Sequence, residues 1–551
     1  LTLSPMLSGM VLRPAGSAGR FERGVERFFN WLSGRYGRSL HGLLAYPSVM
    51  LVFALVVLAS IWFMFATTQK ELAPTEDQSI MFFQAVGPQT ATVEYNQVYA
   101  NQIIDIFETI PEYHESFVLV GFGGDSSVTF GGFKMTSTSE RDRSQMEVQP
   151  ELQGKLGAVA GLQVAAFPRP SLPGAGRGLP MQFVITTDAG YEELDQLAEE
   201  LVGRGMGSGK FLFLRKSVEF SRPKTNILID RDRAGDLGID MREIGRSLSL
   251  MLGDGYVNRF SLVERSYEVI PQVAREARLD PSMLEDYYLR SSSGGLVPLG
   301  NLVSFEDSVE PSKRTQFQQL NSVTVEGIMA PGVPLGEALD FLEQQARDIL
   351  PRGFTWDYMG ESRQYANQGS ALMITFFMSL LIIYLVLAAQ FESWRDPFII
   401  LVSVPMSIFG AMAFLTLGFA SVNIYTQVGL ITLIGLVAKN GILIVEFANQ
   451  LRIHEGLDKR EAVERASRIR LRPILMTTVS MVVAMVPLLL ATGPGAVSRF
   501  HIGLVIASGL GIGTLFTLYV VPAFYMLLSP REHAGSAEQA GAAPTPHEGI
   551  G

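Results

Sequence analysis

The chain has 551 residues, 47% of them hydrophobic, with 44 basic against 54 acidic side chains and a net charge of −10. That composition marks a membrane protein, and its mild acidity gives no ground for nucleic-acid binding. Cysteine is absent, which excludes disulfides, thiolate nucleophiles and zinc–thiolate sites, and the six histidines are too scattered for a metal site on one helix or hairpin.

Residues 1–14, LTLSPMLSGMVLRP, read as the end of a preceding transmembrane helix with no signal peptide before it, so the chain is expected to be a piece of a larger protein. Over 15–42, Phe21, Val25, Phe28, Phe29, Leu32 and Tyr36 recur at helical intervals with arginines between them. The spacing predicts an amphipathic helix on the cytoplasmic membrane surface, the alternative being a soluble core helix. Residues 43–66 are apolar and uncharged, long enough to cross a bilayer.

Residues 67–369 hold no further span, and their pattern alternates between strand and helix periods. A first unit reads as strand 79–86, helix 91–110, strand 114–122 and then a glycine-rich loop from Gly121 to Phe133, GFGGDSSVTFGGF. A second unit has strand 181–187, helix 190–205 and strand 211–217, and a third has strand 320–329, helix 335–350 and strand 354–359. Recurrent strand–helix–strand units predict an α+β domain of split βαβ modules. One module is expected over 67–180 and another over 181–226 with 313–362, interrupted by a separate subdomain at 227–312.

The chain then re-enters the membrane, with five helices expected in 363–529, at 371–389, 398–417, 424–449, 473–492 and 501–528. The basic segments are 20–38 and 451–472, while the turns at 418–423 and 491–500 carry only Arg499. By the positive-inside rule the basic segments are cytoplasmic, and the large domain lies outside, in the periplasm of a cell with two membranes. Small residues four apart, such as Ser403, Ser407 and Ala411, Gly503, Ala507 and Gly511, and Gly509 and Gly513, predict close helix packing. The tail 530–551 reads as disordered.

Between Tyr425 and Ala448 the ionisable side chains are Lys439 and Glu446. A charge at that depth costs roughly 3 kcal/mol unless paired. Seven residues separate the two, about 10 Å along a helix axis, so Glu446 is too far to be the partner. An ion-coupled relay uses such a group, because a change in its partner's protonation becomes a change in helix packing. Arg470, three residues before Pro473, reads equally as a cytoplasmic anchor, with Thr477 one turn inside a helix that Pro473 opens.

The glycine-rich loop lacks the Gly-Lys-Ser/Thr ending of a phosphate cradle. Phe117, Leu119, Phe122 and Phe130 alternate at strand spacing and share one expected sheet face, which fits either a core or an apolar ligand pocket edged by a mobile loop.

The motifs LAPTEDQ (72–78), VLAAQFESW (386–394), NIYTQVGL (423–430), AKNGILIVEFA (438–448) and RLRPILMT (470–477) resemble the second half of a resistance-nodulation-division (RND) multidrug efflux transporter of the hydrophobe/amphiphile class. The resemblance covers essentially the whole chain apart from the tail. It implies the C-terminal half of a proton/drug antiporter, a secondary transporter and not an enzyme, driven by the proton-motive force with no cofactor and no metal. It also implies a homotrimer in the inner membrane of a Gram-negative bacterium, exporting small hydrophobic or amphiphilic drugs. The implied partners are the transporter's N-terminal half, a periplasmic adaptor protein and an outer-membrane channel. Carried over by motif, Lys439, Arg470 and Thr477 match the proton relay, whose two aspartate partners belong to the other half. Residues 67–180 and 181–226 with 313–362 match two porter modules, and 227–312 matches the docking subdomain, where GDGYVNRF (253–260) resembles the family's hairpin region. Phe117, Leu119, Phe122 and Phe130 match the deep drug pocket, Met181 and Phe183 the outer pocket and entrance, and Gly121, Gly123 and Gly124 the switch loop. Gly124 stands where the family usually has a second phenylalanine.

A related membrane fold that moves lipid or protein as an assembly factor is the main alternative. A metal-ion exporter would need methionines converging in the cleft, and most of the 22 lie in membrane helices. An anchored periplasmic enzyme or sensor would need a nucleophile, metal cluster or signalling domain.

Overall fold

The computed structural model describes Met6 and residues 20–173, 178–253, 255–311 and 313–530. The expected helix end at 1–14 and the tail at 530–551 therefore lie outside the described residues, apart from Met6 and Pro530. Helix α1 (Arg20–Leu43) buries Tyr36 and Leu40, and the Tyr36 hydroxyl donates to the Leu518 carbonyl at 2.6 Å, fixing α1 to the C-terminal third of the last helix. Helix α2 (Pro47–Thr67) starts with proline in its first turn, where the missing N–H is no loss. It buries a single stripe, Met50, Ala54 and Val57.

The first soluble unit runs β1 (Ile80–Val86), α3 (Val93–Glu108), β2 (Tyr113–Val120), β3 (Val128–Met135), α4 (Gln145–Leu156) and β4 (Gln163–Pro168). Its sheet has the order β2-β3-β1-β4 with every neighbour antiparallel, so α3 connects two strands with a third between them. Thr92 caps α3 and Ser144 with Glu147 forms a capping box on α4, satisfying backbone N–H groups that the first turn leaves free. The alternation of β1 sends Met81, Phe83 and Ala85 into the core beneath α3 and α4, with Phe107 and Phe133. Each of the methionine and phenylalanine side chains contributes roughly 1.5–3 kcal/mol on burial.

The expected loop to Phe133 is shorter than its glycines suggest, because Val128–Met135 is a central strand. Gly131 and Gly132 are there for space: a Cβ on Gly131 would lie 2.3 Å from the Phe83 ring, and one on Gly132 2.3 Å from the Phe117 ring.

The second sheet draws on both sides of the insert, with β5 (Met181–Thr187) and β6 (Phe211–Lys216) before it and β7 (Leu320–Met329) and β8 (Thr355–Tyr358) after it. Strand β7 lies between β5 and β6, and β8 flanks β5 on the other side, repeating the order of the first sheet. The second and third strand–helix–strand units of the sequence are thus one sheet, covered by α5 (Tyr191–Gly207) and α6 (Leu335–Ile349). The insert hangs on an antiparallel ribbon, 222–229 against 303–310, and has its own core around Ile239, Ile244, Leu289 and Leu299.

Six helices among the described residues are long and apolar enough to span a membrane. After α2 come α7 (Gly360–Phe391), then α8 (Asp396–Leu401) and α9 (Ser403–Thr416), which run on through a helical Val402 as one span, then α10 (Ile424–Glu455), α11 (Lys459–Leu489) and α12 (Ala496–Leu528). One expectation fails here. Pro473 does not open a helix but sits inside α11, which begins at Lys459 under an Asp458 cap and carries most of the basic segment as helix. The small-residue strips pack as spacing predicts where they meet. A Cβ on Gly513 would lie 2.0 Å from the Ser407 hydroxyl, and one on Gly509 2.3 Å from Leu433, whereas Gly511 faces nothing within 4 Å.

Candidate functional site

Helix α10 buries Leu433, Ile434, Val437, Ala438 and Asn440 and leaves a stripe uncovered: Val428, Thr432, Gly435, Lys439 and Glu446. These residues recur at helical spacing, so they form one face. A Cβ built on Gly435 would meet nothing within 4 Å. Among the described residues, no hydrogen bond or ion pair reaches the Lys439 ammonium. Glu446 instead accepts from the Gln450 amide at 3.4 Å, as the spacing argument requires.

The other two relay candidates lie on α11, which packs against α10. The guanidinium of Arg470 sits 4.4 Å over the Phe447 ring of α10, a cation–π contact, and its Nε is buried without a hydrogen-bond partner. Thr477 donates back to the Ile474 carbonyl at 3.1 Å. Lys439, Arg470 and Thr477 thus stand on adjacent helices with no hydrogen bond joining them.

Their sequence neighbours do touch. The Asn440 amide donates to the Thr514 hydroxyl at 3.0 Å, and the Thr514 and Thr478 hydroxyls are 3.2 Å apart, a buried polar knot that joins α10, α11 and α12. Sequence reading passed over these three residues. Their signal was available: a polar side chain on the packing face of a spanning helix needs an internal partner.

In the first sheet, Phe117, Leu119 and Phe130 share the face turned away from α3 and α4, because Phe117 pairs with Gly132, Leu119 with Phe130, and Phe82 also with Gly132. Phe122 is not on the strand as expected. It lies in a turn after β2 and stacks on Phe130 at 4.9 Å between ring centroids, while Phe82 meets Phe130 at 5.5 Å. Phe117 and Leu119 remain 44% and 48% exposed, while Phe82 and Phe130 are half-buried against Ala165, Phe167, Leu179 and Ile328, so the face is open at its β2 edge and packed at its other end.

The turn holding Phe122 depends on Gly121, Gly123 and Gly124, with φ of 77°, 73° and 84°, the left-handed region that a side chain disfavours. That is a physical reason for glycine at position 124. The loop is held by Asp125, which accepts from Lys313 at 2.5 Å and from the Ser127 backbone and hydroxyl. Burial pushes the Asp125 carboxyl up, but the bonds from Lys313 and Ser127 outweigh it and hold the group below its ordinary value.

Met181 and Phe183 are placed differently from the sequence expectation of an outer pocket. Both are fully buried between the second sheet and α5 and α6, with Phe183 stacked on Trp356 at 6.4 Å. Strand β5 is central, so its alternate residues face the helices, and neither side chain reaches an opening in this conformation.

Sequence reading also missed an apolar cleft of about 1230 Å³ beside the spanning helices. It is walled by Trp62 and Phe65 of α2, Phe376 and Tyr384 of α7, and Ile408 of α9, with Lys70 at its rim. No group of His, Asp and Glu able to hold a metal ion occurs among the described residues.

A profile of the AcrB/AcrD/AcrF family matches residues 1–529. The chain belongs to that family. As an AcrB/AcrD/AcrF family member it is 36% identical over 531 residues to a protein named as an uncharacterized transporter of Haemophilus influenzae, covering 95% of this chain and 51% of the relative. It is 30% identical over 546 residues to the multidrug/solvent efflux pump membrane transporter MepB of Pseudomonas putida, covering 96% and 52%. Against the multidrug resistance protein MdtF of Escherichia coli the identity is 28% over 543 residues, with the same coverage of 96% and 52%. The chain spans about half the length of these relatives. The resemblance to RND efflux transporters read from AKNGILIVEFA and RLRPILMT is borne out at family level.

Proposed function

We propose that this chain is the C-terminal half of a proton/drug antiporter in the inner membrane of a Gram-negative bacterium. The observation that carries the reading is Lys439, a cation in mid-helix on an uncovered stripe, with Arg470 and Thr477 on the adjoining helix. A lysine at that depth is stable when a carboxylate faces it. The N-terminal half supplies that carboxylate across the bare face of α10. Protonation of the carboxylate releases Lys439, and α10 shifts against α11 and α12.

The two sheets are split βαβ porter modules in the periplasm, and the insert at 227–312 is the docking subdomain. Phe117, Leu119, Phe122, Phe130 and Phe82 form the apolar drug surface, and the glycine turn is its mobile edge. Two features of the chain support hydrophobic or amphiphilic compounds as cargo: this exposed aromatic face and the apolar cleft beside α2 and α7. The transporter works as a homotrimer with a periplasmic adaptor and an outer-membrane channel, and proton-motive force drives it without a cofactor.

The test is drug susceptibility of efflux-deficient cells that express the full-length transporter. Resistance is expected with the wild type and is lost with Lys439→Ala at equal protein level. Resistance that survives Lys439→Ala would remove the relay assignment. The cleft also favours a second reading, a related factor that moves lipid, since an acyl chain fits the same walls. Drug resistance conferred by the wild type separates the two.

A further inference from the structure

Two consecutive carboxylates in the linker from α2 to β1 are committed to different bodies. Glu76 is 4% exposed and accepts from the Ser498 N–H at 2.7 Å, from the Val497 N–H at 3.4 Å and from the Ser498 hydroxyl, all in the first turn of α12. Those N–H groups have no partner within the helix, and the helix dipole favours an anion there. Asp77 accepts instead from the buried Arg141 guanidinium and from the Gln145 N–H at 2.9 Å, the first residue of α4. Helix α4 packs Val148, Leu152 and Leu156 against Phe83 on β1, the strand whose other face holds Phe82 against Phe130. One residue step therefore joins a spanning helix to the aromatic sheet.

The same linker is paired with the start of α10. The Val422 N–H donates to the Gln69 carbonyl at 2.8 Å, the Glu71 N–H to Val422 at 3.1 Å, and the Ile424 N–H to Leu72 at 3.1 Å. Asn423 then caps α10, its Oδ1 accepting from Tyr425 and Thr426 N–H groups at 3.0 and 3.2 Å. With Oδ1 committed, the Nδ2 amide faces Nδ1 of His501 on α12 as a donor, at 2.8 Å. This contact ties α12 to the cap of α10. The Glu71 carboxyl accepts from the Ser421 hydroxyl, and burial pushes it up against the opposing bonds from Ser421 and Asn423.

Thirteen residues past His501, about 20 Å along the axis, α12 carries Thr514 in the polar knot beside Lys439. We propose that α12 is a rod linking the Lys439 relay to the aromatic surface, with Glu76 and Asp77 as its joint and Asn423 and His501 as positioning residues that keep α10 and α12 in register. The inference rests on the antiport reading. A shift at Asn440 moves Thr514, the rod moves Ser498, and Glu76 and Asp77 pass the displacement to α4 and the sheet.

The experiment uses the full-length transporter in proteoliposomes and measures drug export and drug-stimulated proton flux together. Glu76→Gln preserves shape and is expected to lower the drug moved per proton by about fivefold or more, the lower end of a typical coupling. Asp77→Asn is expected to do the same from the other side of the joint. The double variant is expected to be no worse than the weaker single, because both break one connection. Ser498→Ala, which leaves the backbone donors in place, gives a smaller drop in the same ratio should Glu76→Gln fail to fold. A ratio unchanged in these variants, whether both fluxes fall in proportion or neither falls, would overturn the joint. A wild type whose export ignores the proton gradient overturns the antiport reading instead.

Discussion

Asn440 Nδ2 and Thr514 Oγ1 are 3.0 Å apart, one residue past Lys439, and Thr514 meets Thr478 one residue past Thr477. Lys439 and Thr477, which share no hydrogen bond, are therefore tied through their neighbours to a common point on α12. Thr514→Val keeps the shape and removes the hydroxyl, leaving a buried amide without its acceptor. That costs about 1–3 kcal/mol. The full-length protein is expected to unfold at lower temperature and to export more slowly, measured by thermal unfolding and drug efflux on the same preparation. Unchanged values in both would show that the knot is incidental packing.

Phe122 stacks on Phe130 at 4.9 Å from a turn that is otherwise open. An aromatic pair is worth roughly 0.5–1.5 kcal/mol beyond its buried area, a factor of about two to ten in affinity. Phe122→Ala is expected to change the relative resistance to different compounds by that order, with planar aromatic drugs losing most. An equal loss for all compounds would mean that Phe122 serves the fold and not selection.

The glycines of this region divide into two kinds, with different outcomes on substitution. Gly124 has φ of 84°, and a Cβ there would meet nothing within 4 Å, so Gly124→Phe fits the space and strains only the backbone. The cost is about 1–2 kcal/mol, and the turn is expected to re-form with altered drug preference. Gly132→Ala drives a Cβ to 2.3 Å from the Phe117 ring and is expected to push that ring off the shared face. Overpacking of this kind costs roughly 1–3 kcal/mol. Thermal unfolding and drug profiles of both variants check the contrast.

The Asp125–Lys313 pair fixes the glycine turn to the strap that enters the second sheet. Because the folded protein holds the Asp125 carboxyl below its ordinary value, the pair's contribution is present above the ordinary carboxylate pKa and is lost as pH falls through the lower folded value. The turn is expected to stay closed from neutral pH down to about 4 and to loosen below it. Lys313→Ala is expected to loosen it already at neutral pH. Amide-exchange protection of residues 121–127 reports this, and equal protection in Lys313→Ala at neutral pH would count against the latch.

How much was legible in sequence depends on the kind of interaction. The six spans were readable because each is a long apolar run, and the failure at Pro473 came from treating proline as a boundary when the polar extension Lys459–Arg472 continues the helix past it. The sheets were readable from period-two alternation, except where Gly131 and Gly132 disguise β3; those glycines accommodate Phe83 and Phe117 from neighbouring strands, and only tertiary contact reveals that. Lys439 was conspicuous as a charge in an apolar helix. Asn440, Thr478 and Thr514 were legible only as polar side chains in need of internal partners, and which partners they find is decided when three helices pack. Met181 and Phe183 show the converse limit, since a motif match places a residue in a strand but does not say which face it serves.

In the proposed antiport cycle Lys439 couples proton movement to export. The most direct measurement is export of an aromatic amphiphile from proteoliposomes holding the full-length transporter under an imposed pH gradient. Wild-type export is expected to rise with the gradient and to stop when it is dissipated, while Lys439→Ala, incorporated to the same level, shows no gradient-driven export. Gradient-dependent export by Lys439→Ala at the wild-type rate would remove Lys439 from the coupling.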